Sequence, residues 1–216
     1  MEQHGALLVQ NGCGNCHDAH GSGEPKLLKD QVASLCLNCH NRPQEAKDGR
    51  TIRSVEAEVL QRAFLHGPVR AGQCQACHQV HGSSNSRLLS KVFPATFYAR
   101  FDVTNYALCF SCHEQAMVMD QATTKLTGFR NGDRNLHHVH VNREKGRTCI
   151  ACHAIHGSDA PKHMAASVPF EGGGWSMPIN FRKTPTGGSC APGCHQAYTY
   201  DRDQAVRYPT TQESLP

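Results

Sequence analysis

The sequence is poor in what normally builds a protein interior. Aromatic residues make up 6% of its 216 positions and apolar residues 38%, too few for a large aliphatic core. No apolar run approaches the ~18 residues of a membrane-spanning helix, which excludes that class. No block of basic residues stands out. A net charge of +4 is mild and leaves nucleic acid little to hold. Met1 is followed by Glu2, Gln3 and His4 rather than by a basic segment and an apolar run, so no secretory leader is visible. What the chain has in excess is 12 Cys and 15 His, with 19 Gly and 11 Pro. Something other than side-chain packing must hold it together.

No cysteine stands outside a motif. Five pairs lie in C-x-x-C-H: Cys13, Cys16 and His17; Cys36, Cys39 and His40; Cys74, Cys77 and His78; Cys109, Cys112 and His113; Cys149, Cys152 and His153. The sixth has one extra residue, Cys190-Ala-Pro-Gly-Cys194-His195. C-x-x-C-H is the attachment signature of c-type haem. Two thiols must reach the two vinyl groups on one edge of the porphyrin, and the adjacent His turns under the iron as proximal ligand. Zinc ribbons also use paired C-x-x-C, but zinc gives no reason for a His after every second cysteine. Thioredoxin-like chemistry needs one such motif, not six. A disulfide framework needs neither the short loops nor the His. The longer sixth loop can bulge without moving either sulfur, so six covalent haems are expected.

Six haems need twelve axial ligands, and the motifs supply six. Three motifs continue as C-H-x-x-H-G, adding His20, His81 and His156. Each of these three also has a His eight or nine residues ahead of its first Cys: His4, His66 and His140. The chain therefore repeats three times. One unit reads His, a short loop, C-x-x-C-H-x-x-H-G, a spacer and a second cysteine motif. The spacers open alike, with Pro25-Lys26-Leu27-Leu28, Ser86-Arg87-Leu88-Leu89 and Pro161-Lys162-His163-Met164. Expected modules are 1–62, 63–130 and 131–216, each with two haems and two free His, so the count closes at two His per iron. His20 lies one helical turn beyond His17 and can only serve a different iron, so the repeat builds close haem pairs from local sequence. His66 and His140 are expected to tie a module to its predecessor.

On these motifs the sequence resembles the multihaem c-type cytochromes built from doubled C-x-x-C-H modules, which serve bacteria and archaea that respire with periplasmic or extracellular acceptors. The resemblance runs from His4 to about Tyr200. It implies haem binding and electron transfer and does not specify partner or pathway. Longer haem-binding loops like Cys190–Cys194 also occur in multihaem cytochromes.

The spare histidines leave choices. Among His137, His138 and His140 the repeat favours His140, with His137 next. His163 reads as a surface residue. Met117 and Met119 could ligate iron and raise its potential, but with enough His they read as packing on a helix face. Longer helices are expected over Ser54–His66, with Ser54 as N-cap, and from about Thr104 through Met117. Residues Glu171–Gly174 and Thr186–Gly188 read as loops. The expected fold class is a multihaem cytochrome of irregular coil and short helices wrapped around a closely packed haem chain, with little β structure. Without haem such a chain should be largely unfolded.

With two strong ligands on each iron, no site is open to substrate. The expected function is an electron carrier, not an enzyme, with redox proteins as donor and acceptor. Covalent haem implies maturation and residence outside the cytoplasm, periplasmic or extracellular, after removal of a leader. A multihaem reductase would need a labile iron position, often marked by C-x-x-C-K, which is absent. A filament of identical copies would need haems exposed at both ends, which the positions of the first and sixth motifs permit. Tyr198, Tyr200 and Tyr208 read as a loose polar tail beyond the last haem.

Overall fold

The computed structural model describes residues 1–46, 48–170 and 174–208. Of the segment Glu171–Gly174, only Gly174 falls among them. Most of the chain is turn and irregular coil. Among the described residues there are five α-helices, the longest the nine-residue Val32–His40, and no strand exceeds four residues. Among the described residues no helix is long and apolar enough to cross a membrane.

The two longer expected helices do not form. Helix Glu56–Leu60 replaces Ser54–His66, with Val55 at its N-cap, and the chain then extends as strand Phe64–Leu65. Ser54 instead bonds the His40 carbonyl. The second is broken into 3-10 turns Val103–Tyr106 and Cys109–Ser111 and a short helix Ala116–Met119. Asp102 caps the first of these turns by accepting from the Thr104 N–H, and that cap holds the chain in a tight turn rather than a continuous helix.

Four of the cysteine motifs fold as one 3-10 turn: Gly12–Asn15, Cys74–Ala76, Cys109–Ser111 and Cys149–Ala151. In each, the motif His donates its backbone N–H to the carbonyl of the first Cys. The second motif lies on helix Val32–His40, which puts Cys36 and Cys39 on one face. The sixth differs. Cys190 ends strand Gly187–Cys190, and the His195 N–H reaches the Pro192 carbonyl instead. The extra residue thus converts a turn into a strand end followed by a loop.

The three spacer phrases fold identically. Each places two consecutive residues in the left-handed region: Lys26 and Leu27, Arg87 and Leu88, Lys162 and His163. Two backbone hydrogen bonds then pin the phrase to its motif: Asp18 to Leu27 and Lys29 to Cys16, Gln79 to Leu88 and Ser90 to Cys77, Ala154 to His163 and Ala165 to Cys152. A hydroxyl closes each loop, from Ser22, Ser83 and Ser158 to the carbonyls of Leu28, Leu89 and Met164. Left-handed non-glycine pairs cost about 1–3 kcal/mol per residue, so their threefold recurrence points to something the loops must position.

Successive modules join by antiparallel strands. Glu2–Gln3 pairs with Gly82–Ser83, and Phe64–Leu65 pairs with Gly157–Ser158. The segment just ahead of one module's leading His thus lies against the segment just after the next module's H-x-x-H. The C-terminal residues add a three-stranded sheet of Arg182–Lys183, Gly187–Cys190 and Tyr198–Asp201. Tyr198 and Tyr200 therefore belong to a paired strand rather than a loose tail, and the Tyr208 hydroxyl bonds Thr199.

The buried side-chain clusters draw on residues from Phe97 onward. One cluster gathers Phe97, Ala151, Val168, Met177 and Ile179, and another Tyr106, Val118 and Val141. Among the described residues ahead of Phe97, only Leu28 and Ser83 are buried. The residues ahead of Phe97 have almost no side-chain core.

Candidate haem centres

The spacer phrase positions the motif His. The Nδ1 atoms of His17, His78 and His153 lie 2.9, 3.0 and 3.0 Å from the carbonyl oxygens of Lys26, Arg87 and Lys162. A carbonyl only accepts, so Nδ1 carries the proton and Nε2 keeps a lone pair, the form that ligates a metal. The left-handed pair in each phrase turns that carbonyl toward the ring. These three backbone groups were visible in the sequence only as a repeated phrase. His195 Nδ1 bonds the Gln196 carbonyl at 2.6 Å. His140 Nδ1 bonds Leu136 at 2.7 Å within helix Leu136–Val141.

Five motif histidines each face a second imidazole. Ring centres are 6.1 Å apart for His4 and His40, 6.1 Å for His17 and His81, and 6.2 Å for His66 and His113. They are 6.4 Å apart for His78 and His156 and 6.4 Å for His137 and His153. A metal–imidazole bond is roughly 2.0–2.1 Å and the nitrogen sits about 1.1 Å from its ring centre, so two imidazoles on opposite faces of one iron are centred about 6.3 Å apart. The donor sets fit a six-coordinate iron between each pair of rings. Burial is the largest cause lowering the pKa of His4, His40, His66, His78 and His153, and it takes His137 down to about 3. Neutral imidazole is the ligating form.

The pairs obey a rule. The leading His faces the second motif of its own module, as His4 does His40 and His66 does His113. The H-x-x-H His faces the first motif of the preceding module, as His81 does His17 and His156 does His78. The imidazoles that face one another across successive modules are therefore those of His81 and His156. In the third module the ring opposite His153 is His137, one helical turn ahead of His140. Fully buried Asn135 sets that turn. Its side chain caps the helix by accepting from the His137 and His138 N–H groups and donates to the carbonyls of Met117 and Asp120.

The remaining histidines are placed differently. Burial lowers the pKa of His140, and Arg147, His195 and Arg143 are near enough to lower it further. His138 Nδ1 bonds the carbonyls of Val118 and Met119. His163 is half-buried rather than fully exposed. It occupies the position of Leu27 and Leu88, with Nδ1 buried and unpartnered and its ring edge-on to His66 at 5.6 Å. His20 is exposed, and no imidazole faces it among the described residues. Met117 packs on the Tyr106 cluster, while Met119 is exposed.

The thiols form a continuous series. Cys36 lies beside Cys74 and Cys109 beside Cys149, close enough that in each pair one thiol holds its proton tighter. Cys16 lies near Cys36, Cys77 near Cys109 and Cys112, and Cys152 near Cys190 and Cys194. Every motif thus adjoins the next along the chain.

The family model described as the doubled CXXCH motif matches residues 4–45 and 66–118. No curated protein and no solved structure matches the chain. The matched residues hold the first four motifs, and residues 140–195, outside the match, repeat the same order of motifs with a longer spacer and one extra residue in the last. Over these residues the chain carries the doubled CXXCH motif, whose chemistry is the covalent attachment of haem c.

Proposed function

We propose that the chain carries six covalent haems, each between two imidazoles, and passes electrons along them between redox proteins outside the cytoplasm. Five pairs of facing rings at 6.1–6.4 Å carry this reading. The pairing rule supplies the sixth, since the leading His of the third module is His140 and the second motif His is His195. The axial ligands are then His17 with His81, His40 with His4, His78 with His156, His113 with His66, His153 with His137, and His195 with His140.

Bound there, haem supplies a one-electron couple whose potential is set by ligands, hydrogen bonds and exposure. The protein orients the proximal rings through the Lys26, Arg87 and Lys162 carbonyls and occupies both axial positions. With both positions filled, no iron is offered to a substrate. Adjacent cysteine motifs from first to sixth support a single path from the N-terminal to the C-terminal module. Neighbouring charges so close would spread the potentials into one broad titration.

Intact mass and spin state test the reading. The protein should carry six haem additions, be low-spin in both redox states and bind no carbon monoxide when reduced. Five additions would remove the Cys190–Cys194 site. A substantial high-spin fraction would point instead to an open iron and to a reductase.

A further inference from the structure

We infer that Trp175, Met177 and Asn180 are positioning residues for the sixth haem centre, an outside template that gives the lengthened Cys190–Cys194 loop the fixed shape the other motifs make for themselves. This deepens the six-haem reading above and rests on it. In four motifs the His N–H closes a turn onto the carbonyl of the first Cys, and the second motif lies within helix Val32–His40. The spacing of the two sulfurs is then set inside the motif. In the sixth, the His195 N–H reaches only the Pro192 carbonyl, at 3.4 Å. That bond leaves Cys190 outside the turn. A loop whose ends are not tied together samples several shapes unless something else holds it.

Two separate sheets hold these ends. Cys190 is the last residue of strand Gly187–Cys190 and pairs with Tyr198. The rest of the loop lies against residues 175–180, which contain the second strand of the hairpin Ser167–Pro169 and Ser176–Pro178. The Ala191 N–H donates to the Ile179 carbonyl at 3.3 Å, and Asn180 Nδ2 donates to the Ala191 carbonyl at 3.1 Å. The Trp175 ring lies over Gly193, where a β-carbon would come within 3.1 Å of Cη2. The Cys194 sulfur lies 3.3 Å from the Met177 sulfur. Ala191, Gly193 and Cys194 thus all rest on the one segment.

The template is itself anchored. Met177 is buried in the cluster with Phe97, Ala151, Val168 and Ile179. The Phe170 N–H bonds the Trp175 carbonyl, and the two rings meet edge-on at 5.5 Å. Trp175 is the single Trp of the sequence, and it is 51% exposed. Core packing does not account for a half-exposed indole, whereas the loop beneath it does. The longest of the three spacers and the longest cysteine loop occur in the same module, and residues 175–180 fall within that spacer. His195 follows Cys194 directly, so a held loop also holds the backbone that carries the proximal ring.

The test compares intact holoprotein with its Trp175→Ala, Asn180→Ala and Gly193→Ala variants. The Ala191, Gly193 and Cys194 amides should exchange hydrogen about tenfold faster in Trp175→Ala and about fivefold faster in Asn180→Ala. Exchange at Cys109–Ser111 should not change, which checks the fold of the rest. Reduced Trp175→Ala should take up carbon monoxide at one iron and wild type at none, and Trp175→Phe should restore the wild-type behaviour. Gly193 lies outside the left-handed region, so alanine there adds only the contact with Trp175. Gly193→Ala should speed exchange by itself and add nothing to Trp175→Ala. Unchanged exchange and carbon monoxide uptake in Trp175→Ala, additive effects of Trp175→Ala and Gly193→Ala, or equal acceleration at Cys109–Ser111 would each overturn the inference. Intact mass of the wild type reads the six-haem assignment separately. Five haem additions, with Cys190 and Cys194 open to alkylation, would end both readings, while six additions and an unmoved loop in the variants would end this one alone.

Discussion

The Nδ1 atom of His156 lies 2.9 Å from Oε2 of Glu58, a carboxylate 98 residues earlier in the chain. His156 faces His78 across the proposed third haem, so Glu58 bonds the far side of a distal ligand. The His156 bond is also the main cause holding the Glu58 carboxyl below its ordinary range. A carboxylate on Nδ1–H makes the imidazole a stronger donor and stabilises the ferric state. Glu58→Gln should raise one of the six potentials by roughly 30–60 mV, about a tenfold change at most for one electron. Potentiometry of variant and wild type checks this. No shift in any component would show that the bond does not tune the iron.

His137 and His140 are predicted to serve different irons. His137→Ala should keep every haem attached, because the cysteines are untouched, and should open one iron to carbon monoxide. His140→Ala should open another, and the double variant should bind two equivalents. A His137→Ala protein that stays fully low-spin would return His153 to His140.

Asn135→Ala removes a helix cap, worth about 0.5–2 kcal/mol, and two part-buried hydrogen bonds to the Met117 and Asp120 carbonyls, worth about 0.5–1.5 kcal/mol each. Local opening of helix Leu136–Val141 should become easier by about 2–4 kcal/mol. Its amides should then exchange hydrogen at least about 30-fold faster while Val32–His40 stays unchanged. Equal acceleration in both helices would mean global rather than local destabilisation.

The C-terminal sheet should loosen in acid. Asp201 accepts from the Thr186 hydroxyl and from the Gln204 and Asp203 N–H groups, and these bonds hold its carboxyl below the ordinary 3.8. A depressed pKa contributes stability above about 3.8 that is lost as pH falls through the lower folded value. Acid-protease cleavage within 198–208 should therefore rise between pH 4 and 2. Asp201→Ala should be cut more readily at pH 4, and equal rates for variant and wild type there would dismiss the role.

The cysteine motifs, the proximal histidines and the threefold repeat are legible in the sequence. Each is local, since two thiols and a ring must meet one porphyrin edge within five or six residues, and no packing can substitute for that spacing. The spacer phrase was legible as a repeat but not as a device, because its role lies in a backbone carbonyl that a left-handed turn directs to the motif ring. Helix boundaries were obscured by the scarcity of apolar residues, which leaves a cap such as Asp102 or a strand partner such as Gly157–Ser158 to decide the local conformation. The pairing of rings belonged to the tertiary structure. His81 and His17 meet only because strand Glu2–Gln3 lies against Gly82–Ser83. His137 stands opposite His153 only because buried Asn135 starts its helix there. Any neutral imidazole can bind iron, so residue type left the choice among His137, His138, His140 and His163 open. The position of the backbone that carries each ring decided it.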